Sequence, residues 1–186
     1  MSHPHQQIYF LELKKRYYRS VLPHPFYKAM VLDVGSLDVN GNNRFMFVDC
    51  AYTGIDVVAG PNVDVVRSAH EWCEAIGGHY DTIISTSMLE HDMHWKLTLP
   101  AMLQALKKGG LLLLACATDK CAEHGTLTCS PESSGTSQLE GEWASYYQNL
   151  SEVDFRSVID FEAEFSEYEF KVDREDKDLY FWGLKR

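Results

Sequence analysis

Three features of the sequence predict an α/β fold built on a mostly parallel sheet. Five short apolar runs are separated by segments with helical spacing or turn residues, the rhythm of strand and crossover. The fifth run, 111–117, is apolar throughout, as suits a central parallel strand buried on both faces. The first run ends in Asp33-Val34-Gly35, a strand leading into a tight turn.

Residues 6–21 are read as an amphipathic helix. Phe10, Leu13, Tyr17 and Val21 recur at spacings of three and four with charges between them, and Pro23 and Pro25 end the helix. Strands are expected at 30–34, 52–56, 63–66, 80–86 and 111–117. The first crossover, 35–51, is long enough for a right-handed return, but Gly41, Asn42 and Asn43 leave it a stunted helix. Helices are expected at 68–76, closed by Gly77-Gly78, and at 95–108, stopped by Gly109-Gly110. In the second, Lys107 and Lys108 suit the carboxyl end of the helix dipole. Residues 118–150 break the rhythm. Their glycines, prolines and hydroxyl residues, with Trp143, Tyr146 and Tyr147, read as a lid that packs on something. A further helix starts at Ser151, with Asp154 placed to complete a capping box. The tail alternates through FSEYEFKVD and DLYFWGLKR around a charged turn, an antiparallel hairpin at one side of the sheet.

A chain of 186 residues fits one domain, 1–186, comprising an N-terminal helical segment (1–27), the sheet, and the lid (118–150). The net charge of −10 disfavours nonspecific binding to nucleic acid or anionic membranes. Lys14, Lys15, Arg16 and Arg19 are the one N-terminal basic cluster. The longest apolar run, seven residues, falls short of the roughly 20 a membrane span needs, and the first residues do not read as a signal peptide. Five scattered cysteines read as reduced thiols, and the expected location is cytoplasmic. Cys116, Cys121, His124 and Cys129 contain no Cys-x-x-Cys pair, so no metal site is expected.

Ligands of open α/β sheets sit beyond the carboxyl ends of the strands. The residues following the strands are therefore the candidates. Asp33, Gly35, Ser36, Leu37 and Asn40 follow the first; Asp56 and Val57 the second; Ser68 and Ala69 the third; Ser85 and Glu90-His91 the fourth. Asp56 ends its strand 21 residues after Gly35 (56 − 35), where a carboxylate accepts both hydroxyls of a ribose. A pyrophosphate cofactor wants Gly-x-Gly-x-x-Gly, but Leu37 and Asn40 occupy the second and third glycine positions. A nucleoside without phosphates fits better.

With VLDVGS, YTGID, YDTIISTSMLEH and LKKGGLLLLA in this order, the sequence resembles the class I S-adenosylmethionine-dependent methyltransferases, nearest the small methyltransferase-domain type of bacteria and their viruses. The resemblance covers residues 28–118. It implies a Rossmann-like open twisted sheet of seven strands, the last antiparallel, with helices on both faces. It implies S-adenosyl-L-methionine as cofactor, its methionine part at Gly35 and its neighbours, its ribose at Asp56 and its adenine along Ser68 and Ala69. Two departures stand out: Gly35-Ser36-Leu37-Asp38-Val39 replaces the family's glycine-rich turn, leaving Asn40-Gly41 to turn the chain, and Ser68 stands where an acid often meets the adenine amino group.

His91 reads either as a general base or positioning donor for the methyl acceptor, or as a structural histidine bonded to a loop. His124 opens the lid and either faces the acceptor or is a plain loop residue; His94 reads as a surface residue. Tyr146 and Tyr147 wall an acceptor pocket or anchor the lid. The resulting expectation is methyl transfer to an unidentified acceptor, a small molecule before a nucleic acid. The rival readings are a cofactor-binding protein without catalysis and a nicotinamide-dependent oxidoreductase.

Overall fold

The computed structural model describes residues 2–17, 24–173 and 177–186. Seven strands form one sheet: β1 (Met30–Val34), β2 (Ala51–Asp56), β3 (Val65–Val66), β4 (Tyr80–Thr86), β5 (Leu106–Ala117), β6 (Phe165–Asp173) and β7 (Asp178–Lys185). Their order is β3-β2-β1-β4-β5-β7-β6. β7 pairs antiparallel with both β5 and β6, and the other pairings are parallel.

The pleat sends alternate residues to two separate cores. Leu32 and Val34 of β1, Leu112, Leu114 and Cys116 of β5, and Leu179 and Phe181 of β7 face one of them. Val31, Leu111, Leu113, Ala115, Tyr180 and Trp182 face the other. The first core is roofed by α2 (Ala69–Ile76), α3 (Trp95–Ala105), α4 (Glu152–Arg156) and α5 (Phe161–Glu164), which supply Cys73, Leu99, Met102, Phe155 and Phe161. Handedness explains the grouping. Crossovers from β3 to β4, from β4 to β5 and from β5 to β6 all step the same way across the sheet, so right-handed connections lie on one face.

The opposite face receives only the β1–β2 and β2–β3 connections. The stunted helix expected in the first of these is reduced to the 3-10 turn Arg44–Met46, and Met46 and the following Phe47 join this core. α1 (Pro4–Tyr17) covers the rest through Phe10 and Leu13. The Tyr9 and Tyr180 rings lie 4.3 Å apart, and Phe10 meets Tyr180 edge-on. Buried Asp178 accepts hydrogen bonds from Gln6 Nε2 (3.1 Å) and Tyr180 Oη (3.3 Å), and it pairs with His3 Nε2 (2.8 Å). The expected end of this helix, with Val21 and Pro23, lies outside the described residues.

Several boundaries differ from expectation, among them the start of β5 at Leu106 instead of 111. β3 shrinks to two residues. The helix expected over 95–108 ends at Ala105, because the carbonyls of Gln104 and Ala105 accept from Gly78 N and His79 N and Leu106 pairs with Tyr80. Lys107 is therefore a strand residue, bound to Asp81 at 2.7 Å, and serves no helix end. The helix starting at Ser151 has its capping box, Ser151 N to Asp154 Oδ2 at 2.9 Å, but stops at Arg156 and is followed by the separate α5.

Because α1 is the only helix on its face among the described residues, its anchor residue is sensitive. Phe10→Ala is expected to cost about 3–5 kcal/mol, the usual loss for a buried phenylalanine. Urea unfolding of wild type and variant measures it; a loss under about 1 kcal/mol would mean that the sheet face holds without the helix.

Candidate functional site

The order β3-β2-β1-β4-β5 reverses direction between β1 and β4, and a cleft opens at the carboxyl ends there. The space between its walls, open mouth included, is about 570 Å³. One wall is the loop after β1: Gly35, Leu37 and Val39. Asp56 and Val57 after β2 form the next, followed by Arg67, Ser68 and Ala69 ahead of α2. The loop after β4 closes the far side with Ser87, Met88, His91 and Asp92. Ser134, Gly135, Thr136 and Trp143 come across from segment 118–150.

Gly35 has φ +79°, and a Cβ there would lie 2.2 Å from Met88 Cγ. Only glycine lets the β1 and β4 loops approach this closely. Asp56 sits half-buried at the end of β2. Its Oδ2 accepts from Leu37 N at 3.1 Å and its Oδ1 from Val58 N at 3.0 Å. Burial pushes this carboxyl above its ordinary range, and the amides of Val58 and Leu37 oppose the shift. Each oxygen keeps a lone pair for a further donor. Gly135 lies against Leu37 and Val58, where a Cβ would be 2.5 Å from Leu37 Cδ2. The segment therefore rests directly on the loops that Asp56 ties together.

Of the residues expected to bind cofactor, Gly35, Leu37, Asp56, Val57, Ser68 and Ala69 line the cleft, as does His91. Asp33, Ser36, Asn40 and Ser85 do not. Strand parity turns Asp33 to the opposite face, where its Oδ2 accepts from Tyr52 Oη (2.5 Å) and lies 3.5 Å from Asn62 Nδ2. Ser36 is buried against Gly54. Ser85 Oγ donates to the Val34 carbonyl at 2.8 Å, bridging β4 and β1. Asn40 is exposed, and the turn is held instead by Asp38, which accepts from Gly41 N at 2.8 Å and Asn42 Nδ2 at 2.6 Å.

His124 also lies outside the lining, behind His91, with the two rings 5.1 Å apart. Tyr147 packs on both histidines, and Tyr146 Oη donates to Gln148 Oε1 at 2.9 Å, so both tyrosines anchor the segment and Trp143 is its aromatic in the cleft. His94 is half-buried between His70 and Trp143, not a surface residue. Burial pushes Glu90 up to about 7 and His91 down to about 3, with neighbouring His124 adding to the second shift. His91 is thus a neutral imidazole near pH 7 and a weak proton acceptor. The sequence reading missed Arg67 and Asp92; Ser87 and Met88 stand in the stretch after the fourth strand, and 134–143 fall within the expected lid, although nothing local says which of its residues reach the cleft.

No protein-family model and no curated protein sequence matches the chain. Solved structures do match its fold, and the chain has the fold of the class I S-adenosylmethionine-dependent methyltransferases. The CurJ carbon methyltransferase aligns with a TM-score of 0.61 at 16% identity, over 97% of this chain and 54% of that one, so this chain spans about half its length. The Burkholderia thailandensis 1,6-didemethyltoxoflavin-N1-methyltransferase, solved with 1,6-didemethyltoxoflavin and S-adenosylhomocysteine, gives 0.58 at 14% identity over 100% and 91%. The N-methyltransferase NodS of Bradyrhizobium japonicum, solved with S-adenosylhomocysteine, gives 0.58 at 16% identity over 99% and 89%. Among the described residues no helix is long and apolar enough to cross a membrane.

Asp33 yields a pH-dependent prediction. Burial raises its carboxyl from 3.8 to about 6, partly offset by the Tyr52 hydrogen bond. The folded state then holds its proton more tightly than the unfolded chain. The associated stability is fully present below about 3.8 and is lost as pH rises through 6. The rise corresponds to about 3 kcal/mol at most. Asp33→Asn should therefore gain on wild type as pH is raised from 4 to 7. A difference between the two that stays flat over that range, in denaturant titrations, would show that Asp33 is not destabilised by burial.

Proposed function

We propose that this protein transfers a methyl group from S-adenosyl-L-methionine to a small-molecule acceptor. The observation that carries the reading is Asp56, half-buried at the carboxyl end of β2 in the cleft of this fold, with an open lone pair on each oxygen. The residues present fit the cofactor. Asp56 would accept the ribose hydroxyls, the Gly35 turn would face the methionine part, and Ser68 and Ala69 would lie along the adenine. Among the described residues Arg67 is the only Lys or Arg in the lining, and it pairs with Glu71 (3.6 Å), which gives a pyrophosphate no cationic cradle there; Leu37 fills the place a second glycine would leave open. Bound in this way, S-adenosylmethionine supplies an electrophilic methyl group on a sulfonium. Leu37, Met88 and Trp143 would exclude water around it, and the walls would align the acceptor. Orientation of this kind supplies roughly 7–11 kcal/mol, so a proton-accepting side chain is not required.

A small acceptor agrees with segment 118–150 resting on the cleft. It agrees with the neighbour named for 1,6-didemethyltoxoflavin. The net charge of −10 works against nucleic acid as acceptor. The five free cysteines suit a reducing compartment such as the cytoplasm. A protein that binds the cofactor without turnover remains the second reading, favoured by the poor basicity of His91. Methyl transfer from labelled cofactor to any member of a small-molecule acceptor panel would exclude it.

S-Adenosylhomocysteine at about 100 times its Kd should stabilise the protein by about 2.7 kcal/mol, while NAD gives no shift in melting temperature. Stabilisation by NAD alone would remove the proposal. Asp56→Asn keeps the shape and one acceptor oxygen for the loop amides; it should weaken S-adenosylhomocysteine roughly ten- to a hundredfold in calorimetric titration, as expected on losing hydrogen bonds to a charged group. Equal affinity in a folded variant would dismiss the ribose assignment. Asp56→Ala is the poorer test, because it also strips the amides of Leu37 and Val58 of their partner.

Gly135 packs against Leu37 and Val58, which supports segment 118–150 acting as a lid that closes over the ligand. Amide exchange across 134–143 should slow when S-adenosylhomocysteine is added. Unchanged exchange at saturation would make the segment a fixed wall.

A further inference from the structure

Where the loop after β4 meets the root of segment 118–150, the structure buries a polar cluster that methyl transfer does not use. Glu90 and His91 are 1% and 2% exposed. Glu90 Oε1 accepts from Ala117 N at 3.2 Å, but Oε2 has no partner, and neither ring nitrogen of His91 has one. Folded chains seldom leave buried polar atoms unpaired, and three in one place call for a ligand. His124 completes the group from the other segment. One donor atom from each of Glu90, His91 and His124 lies within 4.8 Å of the others.

We propose that Glu90, His91 and His124 bind one divalent transition-metal ion of the zinc class. Two imidazoles and a carboxylate form the donor set of zinc sites that keep a position open. Calcium and magnesium prefer oxygen throughout. The Ala122 carbonyl lies 3.1 Å from His124 Nδ1 and can only accept, so Nδ1 carries the proton and Nε2 is bare for a metal. Metal–ligand bonds of about 2.0–2.2 Å place tetrahedral donors roughly 3.4 Å apart, so binding draws the His124 loop inward. Gly125 permits that approach: its φ is +64°, and a Cβ would stand 2.7 Å from His91 Cε1. The ion would pin the root of segment 118–150 to the β4 loop, with its open position on the His91 side, which faces the cleft. This inference does not rest on the methyl-transfer reading.

The test uses the full chain, stripped with a chelator and titrated with Zn²⁺ against a chromophoric competitor and with Co²⁺ by visible absorption. One ion per chain is expected. His124→Ala and Glu90→Gln should each weaken binding by more than about a hundredfold, beyond the ten- to hundredfold loss of an outer-shell partner. His94→Ala, which alters the separate His70–His94 pair, should leave affinity unchanged. No binding by wild type, or binding unaltered in folded His124→Ala, overturns the site; so does loss of binding in His94→Ala alone. Circular dichroism reports folding. Titration of the same samples with S-adenosylhomocysteine separates the two readings: wild type that binds metal but not the nucleoside would remove the proposed function and leave the metal site standing.

Discussion

Because β2 and β3 lie on one side of β1 while β4 and β5 lie on the other, the chain leaves β1 and β4 in opposite directions. Nothing local fills the space between those two exits. The cleft is thus a product of strand order before it is a product of side chains. Residues then set its dimensions. Gly35 lets Met88 come close from one side, and Asp56 clamps the amides of Leu37 and Val58 on the other. A carboxylate that holds two loops and still has free lone pairs is a structural tie and, in the proposed reading, also the acceptor of the ribose hydroxyls. Removing it would change the walls as well as the contact.

The same strand order makes the two faces of the sheet unequal. Rightward crossovers give one face four helices, and the short connections between β1 and β3 leave the other nearly bare. α1 has to arrive from outside the alternation to cover Tyr180 and Trp182. It is fixed by apolar packing at Phe10 and Leu13 and by the buried Asp178, which gathers His3, Gln6 and Tyr180. At the other edge the polar set Asp33, Tyr52, Asn62, Arg44 and Asp64 does related work. Arg44 stacks over Tyr52 and reaches Asn62 and Asp64, each at 2.8 Å. A polar network running from buried Asp33 out to exposed Asp64 replaces the missing helix there, and Asp33 bears the desolvation.

What was legible in the sequence was what local pattern controls. Residues 111–117 announce a strand buried on both faces, and the spacing of Gly35 to Asp56 places a carboxylate at the cleft. The capping box at Ser151 was also visible. Orientation was less legible. Asp33 and Ser85 each stand two positions before a cleft residue, Gly35 and Ser87, but pleat parity and a bond to the Val34 carbonyl turn them into the sheet. The end of α3 was missed because distant amides, Gly78 and His79, satisfy its last carbonyls before Gly109 is reached. Ser134, Gly135 and Trp143 reach the cleft across about a hundred residues from Gly35, a distance no spacing rule spans.

The metal cluster shows why residue class misleads when read along the chain. Cysteine spacing argued against a metal in 116–129. In the structure Cys116 is buried in β5, Cys129 donates to the Glu123 carbonyl, and Cys121 Sγ lies 3.9 Å from His124 Nδ1. The donors that do converge are one adjacent pair and one residue 33 positions later (124 − 91), brought together because β5 runs parallel to β4 and both exits point the same way. The loop after β4 therefore serves two neighbours. Met88 and Asp92 face the cleft, and Glu90 turns back toward Ala117 at the end of β5. His91 belongs to both, buried with bare ring nitrogens and forming part of the cleft wall. His124, Tyr147 and Gly125 all pack against that ring, so one side chain is shared by the root of the covering segment and the wall of the cleft.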